Sequence, residues 1–232
     1  MIPADKSAFL TWFLARDAES RLRKSFHAWH LRGIERLEEE LRAGPVLVVS
    51  NHSSWWDPIV LQWMCHRVLR CDAFAMMDAK NLARLPFFRK VGAFGVDLES
   101  ARDGVRAIRY SANLLDRPGR LVWVFPQGKE TPISRSLEFR PGAAAIARIG
   151  RASVIPIAIR YEMGATPNPE LWLSVGAPIE GKDQAAQEAG VARELARIDA
   201  ALETDEFTVA HRQSVSGMSR LAEASLSWLT RL

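Results

Sequence analysis

The chain of 232 residues is 48% hydrophobic and carries 31 Lys and Arg against 27 Asp and Glu, with a calculated pI of about 9.4. This length supports a sizeable core in one large domain, with or without an appended helical piece, and the mildly basic balance favours an anionic surface or ligand. The two cysteines, Cys65 and Cys71, are too few for a disulfide framework or a four-ligand zinc site, so we expect cytosolic exposure and no metal.

The N-terminus lacks the basic, apolar and small-residue succession of a secretory signal. No stretch approaches the roughly 18 uninterrupted apolar residues of a membrane-spanning helix. We therefore expect a protein that does not cross a membrane by itself.

Residues 9–41 contain apolar side chains at roughly helical spacing and no proline, which predicts one long helix or a helical hairpin within an N-terminal segment, residues 1–44. Basic side chains accompany its aromatic residues, as an interfacial helix on anionic lipid requires. A solvated basic face on a helix that packs against the main domain explains the pattern equally well. The basic residues are Arg16, Arg21, Arg23, Lys24, His27, His30 and Arg32.

From residue 45 to residue 232, short β-rich runs alternate with helix-like segments. This alternation predicts an α/β domain with a mixed, mostly parallel sheet flanked by helices. The predicted strands are residues 46–49, 73–76, 92–96, 121–125, 154–159 and 171–175. The predicted helices are residues 58–69, 101–115, 142–149, 185–202 and 214–229.

Residues 49–57 read VSNHSSWWD and place a histidine just after a strand, at the edge where α/β sheets usually bind ligands. Asp57 precedes Pro58, which is typical of a helix start with Asp57 as the N-cap. One carboxylate oxygen can cap that helix while the other accepts from the His52 ring, which leaves the second ring nitrogen free to take a proton. Alone, this pair is weak evidence of a base and its orienting group.

Residues 122–131 read VWVFPQGKET, an apolar strand that runs into proline, glycine and polar residues. Glycine lets the backbone approach a ligand closely, and Gln127 can both donate and accept hydrogen bonds. The simpler interpretation is a strand followed by a Pro-Gly turn. Two further blocks are GAFGVD at residues 92–97 and VIPI at residues 154–157, the latter a buried strand with an unusual proline.

The order of these blocks resembles the glycerolipid acyltransferases, the family that includes 1-acylglycerol-3-phosphate O-acyltransferases. Asn51, His52 and Asp57 match its NHxxxxD block, and residues 125–128 (FPQG) are similar to its FPEG block. GAFGVD and VIPI resemble the two other blocks. The resemblance covers about residues 46–175, and the N-terminal helix resembles the family's membrane-docking segment.

The resemblance implies transfer of a fatty acyl group from an acyl-CoA or acyl-carrier-protein thioester to a lipid hydroxyl, with no cofactor. It implies that His52 is the general base on that hydroxyl and that Asp57 fixes its tautomer and stabilises the imidazolium. It also implies substrate binding by Asn51, Phe125, Pro126, Gln127, Gly128, Lys129 and Glu130.

The chain departs from the family pattern at three positions. Gln127 replaces the glutamate of FPEGTRS, Glu130 replaces its arginine, and Leu98 stands where the second block has an arginine. Two cations that would hold an acceptor phosphate are therefore missing. We favour an acceptor without phosphate, such as a glycolipid, a glycosylated carotenoid or an ornithine-type lipid. The basic residues that could compensate are Arg102, Arg106, Lys129, Arg135 and Arg140.

Other functions stay open: a classical 1-acylglycerol-3-phosphate acyltransferase of phosphatidic acid synthesis, or a catalytically silent lipid-binding module. A hydrolase is disfavoured because the chain has no G-x-S-x-G motif. The intact pair favours an enzyme of lipid metabolism. We expect it on the cytoplasmic side of the cell membrane as a peripheral protein, with a lipid surface and acyl-CoA or acyl carrier protein as partners, and with no nucleic acid.

Overall fold

The computed structural model describes residues 1–164, 166–202 and 207–213. Within these residues the strands are β1 (Ala28–Arg32), β2 (Val46–Ser50), β3 (Asp72–Asp78), β4 (Ala93–Val96), β5 (Arg120–Val124), β6 (Ser153–Glu162), β7 (Glu170–Val175) and β8 (Thr208–Arg212). The helices are α1 (Ala8–Ser25), α2 (Ile34–Ala43), α3 (Asp57–Trp63), α4 (Ala79–Arg84), α5 (Ala101–Leu114), α6 (Gly142–Ile149) and α7 (Gln184–Ala201). A π-helical turn (Met64–Val68) continues α3, and a 3-10 turn (Pro86–Val91) precedes β4.

The strands in the described part of the chain form one sheet, in the order β4-β3-β5-β2-β6-β7-β1-β8. Strands β4, β3, β5, β2 and β6 run parallel, β7 runs antiparallel to β6, and β8 runs antiparallel to β1. The predicted α/β class with a mixed, mostly parallel sheet is therefore confirmed. Parallel strands end at a common edge, so the segments that follow β2 and β5 meet there.

Strand β2 lies in the middle of the sheet, and all five of its residues are buried. Val46 and Val48 face a core layer that contains residues of α1 and α3, whereas Leu47 and Val49 face a layer that contains residues of α6 and α7. This alternation follows from the two-residue period of a strand. Helices cover both faces of the strand, as a continuous apolar run in a parallel sheet predicts.

The predicted helix or hairpin over residues 9–41 is wrong in its middle, because β1 lies between α1 and α2. Strand β1 runs parallel to β7, so the sheet extends across residue 44. Trp29 and Leu31 belong to one core layer, while the His30 ring stacks on Trp172 in the other, with 3.7 Å between ring centroids. Apolar residues spaced two to four apart fit both a helix and a strand, and burial inside the sheet selects the strand.

Gly33 makes the turn from β1 into α2. Its φ of +74° lies in the left-handed region, and a Cβ atom there would lie 2.4 Å from the backbone oxygen of Val175. Glycine is therefore required by both the backbone conformation and the contact with β7.

The other predicted strands and helices within the described residues are confirmed to within a few residues. The predicted helix at residues 214–229 lies outside the described residues. Of the helices described, none combines the length and the apolar character needed to cross a membrane.

We predict that Gly33→Ala lowers the free energy of unfolding by at least about 2 kcal/mol, because it adds left-handed strain and a backbone clash. Gly104→Ala is the matched control: Gly104 lies within α5, and a Cβ there meets no atom within 4 Å. That variant should gain about 0.5–1 kcal/mol through helix propensity. Urea unfolding measures both, and equal stabilities of the two variants would contradict the assignment.

Candidate functional site

His52 and Asp57 come together at the carboxyl end of β2. The His52 Nδ1 lies 2.7 Å from Asp57 Oδ2. A carboxylate oxygen can only accept, so Nδ1 carries the proton and Nε2 of the neutral ring is left with a free lone pair. The described residues provide no hydrogen-bond partner for Nε2, and the side chain remains 18% exposed. The imidazole is thus held in the tautomer that suits a base.

The Asp57 carboxylate is completely buried and is satisfied by several donors. Besides the His52 ring, Oδ2 accepts from the backbone N–H groups of Ser53 at 2.8 Å and Ser54 at 3.0 Å. The other oxygen, Oδ1, accepts from the Tyr161 hydroxyl at 2.6 Å. Hydrogen bonds to a charged group contribute about 1.5–3 kcal/mol each, and together they offset the cost of burying the charge.

The predicted capping role of Asp57 is wrong. The N-cap of α3 is Trp56, and no side chain caps this helix end. Both oxygens of Asp57 are directed at the loop before the helix and at Tyr161, because that loop presents two backbone donors that would otherwise be buried without partners.

The backbone of His52 is held by the segment that follows β5. Its N–H donates to Gln127 Oε1 at 2.8 Å, and its carbonyl accepts from the Thr131 N–H at 2.8 Å. The Phe125 ring stacks on the imidazole, with 4.4 Å between centroids and 24° between planes. Two loops that are distant in sequence therefore meet at one site.

Gln127 has a defined amide orientation. A backbone N–H must meet an oxygen, so Oε1 faces His52 and Nε2 faces away from it. None of the described residues accepts a hydrogen bond from Nε2. A glutamate here would keep the acceptor but would offer a negative charge in place of an N–H donor. Gln127 thus preserves the loop contact and changes what the site presents to a substrate.

The remaining residues of this block differ in exposure. Pro126 is buried, and its carbonyl accepts from the Arg140 N–H at 2.9 Å. Lys129 and Glu130 are exposed at the rim. Gly128 adopts a φ of +72°, and a Cβ there would lie 3.1 Å from Nε of Arg140. The Arg140 guanidinium therefore lies against this loop, and within the described residues it has no acidic partner.

Asn51 joins the His52 loop to β6. Its Nδ2 donates to the Ile159 carbonyl at 2.8 Å, and its Oδ1 accepts from the Ile159 N–H at 2.9 Å. The residue is only 1% exposed. We assign Asn51 to holding the loop in place rather than to direct contact with a substrate.

A role for Tyr161 was not predicted from the sequence. Strand β6 has ten residues, and β2 pairs with its first half, from Ser153 to Ile157. The second half extends past the end of β2 and brings Tyr161 to Asp57. A tyrosine more than a hundred positions away carries no local signal, and only the pairing register places it at the site.

Trp55 and Trp56 have different environments. Trp56 is partly buried and packs edge-on against Phe26, with 5.1 Å between centroids, whereas Trp55 is 60% exposed beside it. Trp56 is therefore a core residue of the helix start, and Trp55 is available to a ligand or a surface.

The two cysteines are free thiols. A hydrogen bond with Cys71 and complete burial hold the pKa of Cys65 well above its usual range. Cys65 is thus a protonated core residue at neutral pH, which is unsuited to nucleophilic catalysis.

Comparison with known proteins gives a consistent result. Residues 30–160, more than half of the chain, match the family described as Acyltransferase. A 1-acyl-sn-glycerol-3-phosphate acyltransferase of Bacillus subtilis (strain 168) is 29% identical over 158 residues, which span 63% of this chain and 73% of that protein. A probable 1-acyl-sn-glycerol-3-phosphate acyltransferase of Mycoplasma genitalium is 27% identical over 123 residues, 52% of this chain and 46% of its own length.

A solved structure shares the fold. The 1-acyl-sn-glycerophosphate (LPA) acyltransferase PlsC from Thermotoga maritima superposes with a TM-score of 0.55 at 16% identity. The match covers 84% of this chain and 80% of that one.

Proposed function

Because the chain belongs to the acyltransferase family, we propose that it transfers a fatty acyl group from a thioester to a lipid hydroxyl, with His52 as the general base. The observation that carries this proposal is the His52 ring, whose Nδ1 is fixed by Asp57 while Nε2 remains free. A base of this kind accelerates proton transfer by roughly 10²–10⁴-fold.

The proposed reaction proceeds in two steps. His52 Nε2 takes the proton of the acceptor hydroxyl while the oxygen forms a bond to the thioester carbonyl carbon. The tetrahedral adduct then expels the sulfur, and the imidazolium returns its proton to give the free thiol. Asp57 stabilises the imidazolium between these steps, so no covalent acyl-enzyme is required. The thioester donor is acyl-CoA or acyl carrier protein, and no further cofactor takes part.

We propose an acceptor that carries no phosphate. The loop beside His52 offers the free Nε2 of Gln127 and the exposed carboxylate of Glu130. Leu98, which follows strand β4, provides no charge. A carboxylate repels a phosphate, whereas an amide and a carboxylate together suit the hydroxyl groups of a glycolipid or a similar lipid.

One observation favours a second candidate, the 1-acylglycerol-3-phosphate acceptor of the named relatives. The guanidinium of Arg140 lies against Gly128, in the same loop as Glu130. A guanidinium in this position could replace the missing arginines as a phosphate ligand. In the first candidate Gln127 and Glu130 contact the head group of the acceptor, whereas in the second candidate Arg140 contacts it.

We further propose that α1 docks on a lipid surface as a peripheral element. Phe9, Trp12 and Phe13 are 68%, 54% and 52% exposed near the helix start, and the centroid of the Phe9 ring lies 6.3 Å from that of Trp12 and 6.5 Å from that of Phe13. The Thr11 carbonyl accepts from Gln62 of α3 at 3.5 Å, so α1 lies beside the helix that begins with Asp57. The basic side chains contribute less, since Arg21 and Arg23 pair with acidic residues on the same helix.

We predict that His52→Ala lowers the rate of thioester-dependent acylation of lipid at least about 100-fold, while the fold is retained. His211→Ala is the control, because His211 lies on edge strand β8, four strands from β2. Release of thiol from acyl-CoA in the presence of lipid measures the rate. Full activity of the His52 variant would exclude the base assignment.

We predict that the purified protein, offered acyl-CoA, turns over glycolipid and hydroxylated lipid acceptors faster than lysophosphatidate. The double variant Leu98→Arg with Glu130→Arg should raise relative turnover of lysophosphatidate about tenfold, as one charge-assisted hydrogen bond would. Glu180→Arg, at an exposed position outside this loop, makes the same charge change as Glu130→Arg alone and is the control for that part of the double variant. If the protein turns over lysophosphatidate and no other acceptor, and if Arg140→Ala loses this activity, the second candidate is established instead.

We predict that Trp12→Ala with Phe13→Ala weakens sedimentation with anionic phospholipid vesicles at least about tenfold, because each side chain loses part of the 1.5–3 kcal/mol of apolar burial. Ile149→Ala is the matched control: Ile149 is 58% exposed on α6, which covers the opposite face of the sheet. Equal binding of the two variants would refute docking through α1.

A further inference from the structure

We propose that Tyr161 is a positioning residue of the catalytic pair: its hydroxyl fixes the Asp57 carboxylate and shares its negative charge, and so tunes how strongly His52 holds a proton. This inference rests on the proposed function and assigns a third member to the same site. Tyr161 lies one residue beyond the segment that matches the acyltransferase family.

The geometry of the contact is specific. The hydroxyl lies 2.6 Å from Oδ1 of Asp57, and within the described residues it is the only donor to that oxygen. The other three donors, the His52 ring and the backbone of Ser53 and Ser54, meet at Oδ2. The carboxylate therefore has one oxygen for the base and its loop, and one for Tyr161.

The surroundings of Tyr161 keep it in this position. Its ring packs on Phe26 with 5.5 Å between centroids, and its backbone pairs with Leu171 of β7. Burial raises the pKa of the Tyr161 phenol well above its usual range, and the adjacent Asp57 carboxylate raises it further. The phenol is thus protonated throughout the working pH range and acts as a hydrogen-bond donor to Asp57.

The hydrogen bond has a predictable electrostatic effect. A donor on Oδ1 withdraws negative charge from the carboxylate and reduces the stabilisation that Oδ2 gives to the imidazolium. Without the hydroxyl, Oδ1 would keep no partner, and more of the charge would act on the His52 ring. The carboxylate would also rotate more freely, which would loosen the orientation of the imidazole.

The test is the pH dependence of kcat/KM in Tyr161→Phe, which keeps the ring packing. We expect its acid limb to move to higher pH by roughly half a unit or more, with kcat lowered up to about tenfold. Asp57→Asn removes the charge itself and should move the acid limb to lower pH. Tyr110→Phe is the control: Tyr110 is the other of the two tyrosines, and its hydroxyl accepts from the Ala4 N–H.

A second measurement does not depend on turnover, and its fluorotyrosine arm does not require the Tyr161→Phe variant to fold. In a Tyr110→Phe background, fluorotyrosine labels position 161 alone and makes its hydroxyl a stronger donor. We expect the low-field proton resonance of the His52 Nδ1–H, identified by its loss in His52→Ala, to move in opposite directions in the fluorinated protein and in Tyr161→Phe.

An unchanged pH profile and an unchanged Nδ1–H resonance in Tyr161→Phe would overturn the inference, even if the variant is less stable. Failure of the proposed function is distinguishable, since it would appear as retained acyl transfer in His52→Ala. In that case the resonance still reports whether Tyr161 acts on the Asp57 charge.

Discussion

The structure of the site depends on one constraint: Asp57 is a carboxylate with no solvent exposure, and its charge must be satisfied by the protein. The loop after β2 supplies two backbone N–H groups, His52 supplies its ring N–H, and β6 supplies the Tyr161 hydroxyl. These donors set the conformation of the loop and the tautomer of the imidazole together. The hydrogen bonds that satisfy the buried Asp57 charge therefore also fix His52 in the tautomer that can act as a base.

The sheet makes this arrangement geometrically available. Strand β2 ends level with β5 but well before β6, so the segment after it lies beside the second half of β6 and beside the segment that follows β5. Asn51 ties the loop to Ile159 on one side, and Gln127 ties it to the FPQG block on the other. The site is thus held by hydrogen bonds from the segments after β2 and β5 and from β6.

Much of this was predictable from sequence, for physical reasons that differ by element. Apolar runs bounded by Gly and Pro identified β2, β5 and β6, and ordered blocks identified His52 and Asp57. Strand β1 was not predictable, because the spacing around Trp29 fits a helix until the partner strands are known. The contacts of Asn51 and Tyr161 depend on the pairing register of the strands. Whether Asp57 caps the helix or orients His52 depends on which hydrogen-bond donors surround its carboxylate. Contacts that depend on long-range strand pairing cannot be predicted from a local sequence pattern.

The family match and the intact pair support acyl transfer by direct attack of the acceptor hydroxyl, and the altered loop supports a different acceptor. In the proposed reaction His52 activates this hydroxyl and no acyl-enzyme forms. Intact-protein mass spectrometry after incubation with acyl-CoA alone tests for such an intermediate. We expect unmodified protein without acceptor and acylated lipid once acceptor is added. A stoichiometric acyl adduct that decays on addition of acceptor would contradict direct attack.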